Sequence, residues 1–164
     1  MGVRGLYISN FFHWDANHHG QMMINEYGFK ESEESFERTY RRMSNLDDMH
    51  ENGIHDYMKF IKFGYGRCSD HATKDIRSGK ITRDQGIAEV KLRDHIKPKD
   101  LHRWLNYVGW TEEKFDVLSD TFRDPRVWWI KDGQWWKHNI WGVPSSYGSV
   151  KLEKDKWKKF YIES

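Results

Sequence analysis

Cysteine occurs once in this chain, at Cys68, so an internal disulfide framework is excluded. Long apolar runs are missing as well, and no stretch approaches the roughly 20 residues that a membrane-spanning helix needs. Neither sign of charge dominates. The 27 basic and 25 acidic residues leave a formal charge of +2, too weak a field to argue for nucleic acid or an anionic membrane as a partner. The N-terminus, Met-Gly-Val-Arg-Gly-Leu, has no apolar signal stretch and places Leu6 where a myristoylation motif needs Ser or Thr. Elimination leaves a cytoplasmic chain as the expectation.

What the chain does have is rings. Aromatic residues make up 16% of it, with nine tryptophans, while aliphatic residues are sparse. A core would therefore be built on large aromatic side chains rather than on Leu, Ile and Val. The length of 164 residues suits one domain with a true core and is short for two.

Most of the chain reads as short, capped helices. The exception comes first: Gly5 to Phe12, "GLYISNFF", is apolar and β-prone and predicts a buried strand. In "WDANHHGQMMINEYGF", Asp15 is a candidate N-cap and Gly28 a stop. "NLDDMHENGIHDYMKFIKFG" places Met49, Ile54, Tyr57, Met58 and Ile61 at mostly helical spacings and ends at Gly64. Ser69 can cap a helix ending at Gly79, and Thr82 with Gln85 forms a capping-box pattern. Pro98 suits the first turn of a helix that Gly109 stops, and Thr111 caps one that must end before Asp124-Pro125. Between two aromatic runs, Asp132-Gly133 is a hairpin turn. The tryptophans beside it read as cross-strand packing in preference to a sugar-stacking platform. Beyond Trp141 no regular pattern is evident, and the tail from Lys151 to Lys159 sets Lys151, Lys154, Lys156, Lys158 and Lys159 against Glu153 and Asp155. It reads as a solvated terminus.

Chemistry concentrates in "FGYGRCSDHATKDIRSGKITRDQG", Phe63 to Gly86. A helix over 70–78 would bring Asp70 to Lys74 and His71 to Asp75, each four residues apart on one surface. Arg67 and Cys68 precede it, and its N-terminal N–H groups, with Arg67 and Lys62, are a candidate phosphate or carboxylate site. Surface ion pairs around a buried thiol are the plainer reading. Cys68 and His71 have a metal-ligand spacing, but no second cysteine pair completes a set. The glycines of "GYGRCS" are not a dinucleotide fingerprint, since the third glycine is absent and a helix precedes them.

The string "RTYRRMSNLDDMHENGIHDYMKFIKFGYGRCSDHATKDIRSGKITRDQGI", followed by "DLHRWLNYVGW" and "DPRVWWIKDGQWW", resembles the C-terminal half of N-acetyl sugar amidotransferases. That family serves bacterial lipopolysaccharide O-antigen and flagellin-glycan biosynthesis. The likeness runs from about Val3 to Trp141, and "GLYISNFFHWD" resembles the handover from the family's nucleotide-binding domain to its helical region. By resemblance, complete members carry a PP-loop ATP pyrophosphatase domain, adenylylate a sugar carboxylate using ATP and Mg, and attack it with ammonia from a glutaminase and synthase pair. This chain has no Ser-Gly-Gly-x-Asp-Ser loop and none of the family's paired cysteines. Nothing in it substitutes for the bare backbone that cradles phosphates.

The resemblance therefore implies a mainly α fold: a bundle of short capped helices, an N-terminal strand (1–12) left from a missing α/β PP-loop domain, and one C-terminal hairpin. The helical domain would span 13–142, with the hairpin near 127–137, and 143–164 would be an irregular basic tail. The function implied is the substrate-facing portion of an ATP-dependent amidotransferase acting on a carboxylated acetamido sugar nucleotide. Its PP-loop domain would be supplied in cis or in trans, and no cofactor would be bound by this chain alone. His71 and Arg67 carry over as catalytic; Lys62, Tyr65, Asp70, Arg77 and Arg83 carry over as substrate- or phosphate-binding; no metal site is implied. Two alternatives are a catalytically inactive remnant or interaction module, and a small helical nucleic-acid binder, which the weak net charge disfavours.

Overall fold

In a computed structural model, the described residues are 2–43, 50 and 52–160, with the backbone of 162 and 163. They divide into two compact units, Met1–Glu34 and Ser35–Ser164.

The first unit corrects one expectation. Gly5 to Phe12 forms no strand; a 3-10 turn at Ile8–Asn10 closes through Phe11 N–H to Ile8 O (2.9 Å), and Leu6, Tyr7, Ile8, Phe11 and Phe12 are exposed. A strand needs a neighbour for its N–H and C=O groups, and no ladder is recorded for this stretch, so local turn bonds satisfy them instead. Helix α1, Ala16–Tyr27, starts and stops as read: the Asp15 carboxylate accepts from Asn17 N (2.9 Å) and His18 N (3.2 Å), and Gly28 closes it at φ 69°.

The second unit is mainly α, with helices α2 (Asn52–Phe63), α3 (Arg67–Arg77), α4 (Arg83–Arg93), α5 (Leu101–Val108) and α6 (Glu112–Asp120). The expected start of α2 near Asn45 to Met49 lies outside the described residues. Thr82 and Gln85 make the full reciprocal capping box on α4, and the Thr111 hydroxyl caps α6. Pro98 falls just outside α5, in the turn that leads into Leu101.

Strands β1 (Trp128–Lys131) and β2 (Gln134–Lys137) pair across Asp132-Gly133, whose φ values of 51° and 69° are those of a type I′ turn. The tail 143–164 is not irregular. Ser145–Ser149 adds β3 beside β2, Lys154–Lys159 is a 3-10 helix, and Ile162–Glu163 adds β4 parallel to β1, giving a sheet ordered β3-β2-β1-β4. The lysine-rich string hid the reason: Leu152 and Phe160 are buried and pin it to the sheet.

Among the described residues there are three small cores, two of which share α2. Phe60 and Ile61 join Trp128, Ile130, Trp135, Leu152 and Phe160 under the sheet. Ile54, Tyr57 and Met58 pack against Leu101, Leu105 and Phe115 of α5 and α6. Cys68, Ala72 and Val90 form the α3–α4 seam, where Ile76 Cδ1 would sit 2.7 Å from any Cβ at Gly86. Trp128 and Trp135 are wholly buried, each contributing about 2–3 kcal/mol of transfer free energy. The guanidinium of Arg123 lies over both, 4.2 and 4.8 Å from the ring centres, and is held there by Asp120 (2.9 Å).

Candidate functional site

Helix α2 stops at Gly64, whose φ of 73° is a left-handed stop, and the chain turns through Tyr65 and Gly66 straight into α3. Gly66 is fixed by crowding, since a Cβ there would lie 2.8 Å from Asp94 Oδ1. Asp94, at the end of α4, is the real cap of α3. Its Oδ2 accepts from Gly66 N (2.8 Å) and Ser69 Oγ (2.6 Å), and its Oδ1 from Ser69 N (3.1 Å). The helix N-terminus expected to hold a phosphate already holds a carboxylate of the chain itself, and Ser69 sits inside the first turn rather than capping it.

A loop from Arg38 to Arg41 then locks α3 to its surroundings. The buried Arg38 guanidinium donates to the carbonyls of Asp56 (2.9 Å), Asp94 (2.7 Å) and Ile96, joining the middle of α2 to the end of α4. Thr39 Oγ1 meets His71 Nδ1 at 2.6 Å, while Tyr40 OH (2.5 Å) and Arg41 Nη2 (2.8 Å) both donate to Asp75. So Thr39, not Asp75, is the residue on His71 Nδ1. The cause is helical geometry: Asp75 falls on the buried side of α3 with Cys68 and Ala72, and Arg67, His71 and Lys74 share the half-open side. Thr39 Oγ1 also accepts Arg41 N–H (3.3 Å), and its second lone pair and its own proton let it meet Nδ1 as acceptor or as donor, according to the imidazole tautomer. Burial, then the cations Arg41, Arg67 and Lys74, push His71 down to about 4, so it is neutral near pH 7.

Arg67 is held by the buried carboxylate of Asp56 (2.9 Å) and reaches His55 Nδ1 (3.4 Å). Asp70 pairs with Lys59 of α2 rather than with Lys74, and the Lys59 ammonium lies 4.6 Å from the exposed Tyr65 ring. Arg67, Asp70, His71 and Tyr65 are thus brought together where α2 hands over to α3. Lys62 is exposed against Phe63. Two residues stay apart: Arg77 at the far end of α3 donates to Thr73 O (3.3 Å), and Arg83, opening α4, donates to Ile140 O (3.2 Å). Cys68 is fully buried with its thiol pushed up to about 12 by desolvation, which makes it a packing residue. Among the described residues no three His, Cys, Asp or Glu side chains gather as metal ligands, and no helix is long and apolar enough to cross a membrane.

The residues the sequence reading missed are Thr39, Arg41, Asp56 and Asp94. They lie outside the glycine-rich span, and only their contacts reveal them; Thr39 and Arg41 were present in the quoted string "RTYRR" without any spacing to single them out.

The chain is thus a mainly helical domain whose α2–α3 junction gathers Arg67, Asp70 and a neutral His71. The profile of the LPS biosynthesis protein WbpG-like C-terminal domain matches residues 33–140, over half of the 164, and the chain belongs to that family. No curated protein is similar enough to count as a match.

Proposed function

We propose that this chain is the substrate-facing portion of an ATP-dependent N-acetyl sugar amidotransferase, working with a PP-loop domain in cis or in trans. The observation that carries it is the convergence of Arg67 and His71, residues singled out by resemblance, beside Thr39 and Arg41 within the segment that belongs to the LPS biosynthesis family. In this reading the sugar carboxylate displaces pyrophosphate from ATP to give an acyl-adenylate. Ammonia then adds to the carbonyl carbon, sheds a proton and expels AMP, leaving the amide. The chain's own share is electrostatic. Arg67 and Arg41 face the charge that develops on the carbonyl oxygen or phosphate, and His71 offers a neutral imidazole there. Mg, ATP and the glutaminase and synthase pair act on the PP-loop side.

The test is a reconstitution of the chain with its PP-loop domain, a carboxylated acetamido sugar nucleotide, ATP and ammonia, with AMP release and amide formation as readouts. His71→Gln should lower turnover by about 100-fold, the usual scale for one polar group lost from such a site, while leaving the melting temperature within a few degrees. Arg67→Ala is the poorer probe, because it strands the Asp56 carboxylate and lowers stability as well. AMP release that ignores the sugar carboxylate, or an unaffected His71→Gln, would sink the assignment.

A further inference from the structure

Lys137 is a buried cation that the reaction above does not use. It ends β2 on the same face as Trp135, only 7% exposed, and its stem runs beside Gly64, where an added Cβ would lie 3.2 Å from Lys137 Cδ. Its ammonium donates to His138 O (3.0 Å) and Asn139 Oδ1 (2.7 Å), both neutral acceptors, and sits 5.2 Å from the Tyr147 ring centre. An ammonium has three N–H groups, which leaves one beyond these two bonds. Asn139 fixes the direction: its Nδ2 donates to Val143 O (2.9 Å) and Ser145 Oγ (3.0 Å), so Oδ1 is turned toward Lys137 and also receives Tyr147 OH (2.5 Å).

A cleft of about 30 Å³ opens onto this group, walled by Tyr65, Ser69, Asp94, Asn139, Trp141 and Tyr147. That is room for about two waters, or for one carboxylate group. The carboxylate nearest by charge, Asp94, spends its oxygens on Gly66 and Ser69 at the cap of α3. The cleft is left with an ammonium that has no direct anionic partner among the described residues. Burial alone pushes Lys137 down to about 8, the mark of a cation held without full compensation.

We propose that this cleft is a subsite for a small carboxylate, clamped by Lys137 Nζ and aimed by Asn139. The geometry stands without the reaction above; only the choice of a sugar acid as probe rests on that reading. The test uses the intact chain without ATP or turnover, so its failure is separable from failure of the amidotransferase assignment. Lysines are methylated with limiting formaldehyde and cyanoborohydride, and the rate at Lys137 is read by peptide mass spectrometry. With glucuronate at about ten times its Kd, Lys137 should react about tenfold more slowly, while glucose leaves the rate unchanged. Glucuronate should also raise the melting temperature of the wild type and not that of Lys137→Met. If Lys137→Met does not fold, the methylation competition on the native chain decides alone. Equal protection by glucose, stronger protection by inorganic phosphate than by glucuronate, or a Lys137 that formaldehyde never reaches would each overturn the carboxylate subsite.

Discussion

At the scale of single residues, His71 shows how much a neighbourhood changes a side chain that the sequence only names. Its position four residues from Asp75 suggested a pair on one helix surface. The fold instead gives it Thr39 and surrounds it with Arg41, Arg67 and Lys74, so it refuses a proton until about pH 4 against an ordinary value of 6.5. The unfolded chain takes up that proton between the two values and the folded chain does not. Stability from this group is therefore complete above pH 6.5 and is lost as pH falls through 6.5 toward 4, by on the order of 2 kcal/mol. Urea denaturation at a series of pH values should show wild type losing more stability across that window than His71→Gln. His95, shifted in the same direction by its own burial, contributes equally to both proteins and cancels in the comparison. Parallel curves for the two would show that His71 is not held neutral.

At the scale of elements, the legible features were those that a few adjacent residues decide by themselves. Asp15 and Gly28 bound α1, Thr82 and Gln85 open α4, and Asp132-Gly133 turns the hairpin, all as the sequence predicts, because each is a local hydrogen bond or a local φ requirement. The cap of α3 was illegible since it comes from Asp94, 28 residues beyond Gly66. The two kinds of cap should also differ in worth. Thr82→Ala removes one exposed bond and should cost about 1 kcal/mol. Asp94→Ala leaves the Gly66 and Ser69 donors unanswered in a buried turn and should cost about 3 kcal/mol. Urea midpoints compare the two directly, and equal losses would mean that Asp94 is only one more surface cap.

At the scale of the whole molecule, what escaped the sequence was closure. The hairpin was read as the chain's last ordered feature, with 143–164 as tail, because "KLEKDKWKKF" alternates charge too densely for any periodicity to surface. Yet β3 and β4 flank the hairpin on both edges, and Leu152 and Phe160 complete the same core as Trp128, Ile130 and Trp135. A hairpin alone is marginal in water, whereas three or four strands over an apolar layer hold. The lone strand expected at Gly5 to Phe12 failed by the same rule, having no ladder to join. Cutting the chain after Gly142 should therefore remove far more than a frayed end. Trp135 would lose the Phe160 ring now 4.7 Å from its own, Lys137 and Asn139 would lose Tyr147, and β2 would become an unpaired edge. The shortened chain should show no cooperative urea transition by tryptophan fluorescence, while a cut before Ser35, which removes the other compact unit, should leave the transition of 35–164 in place. A cooperative transition in the chain ending at Gly142 would mean that the sheet core does not depend on its last two strands.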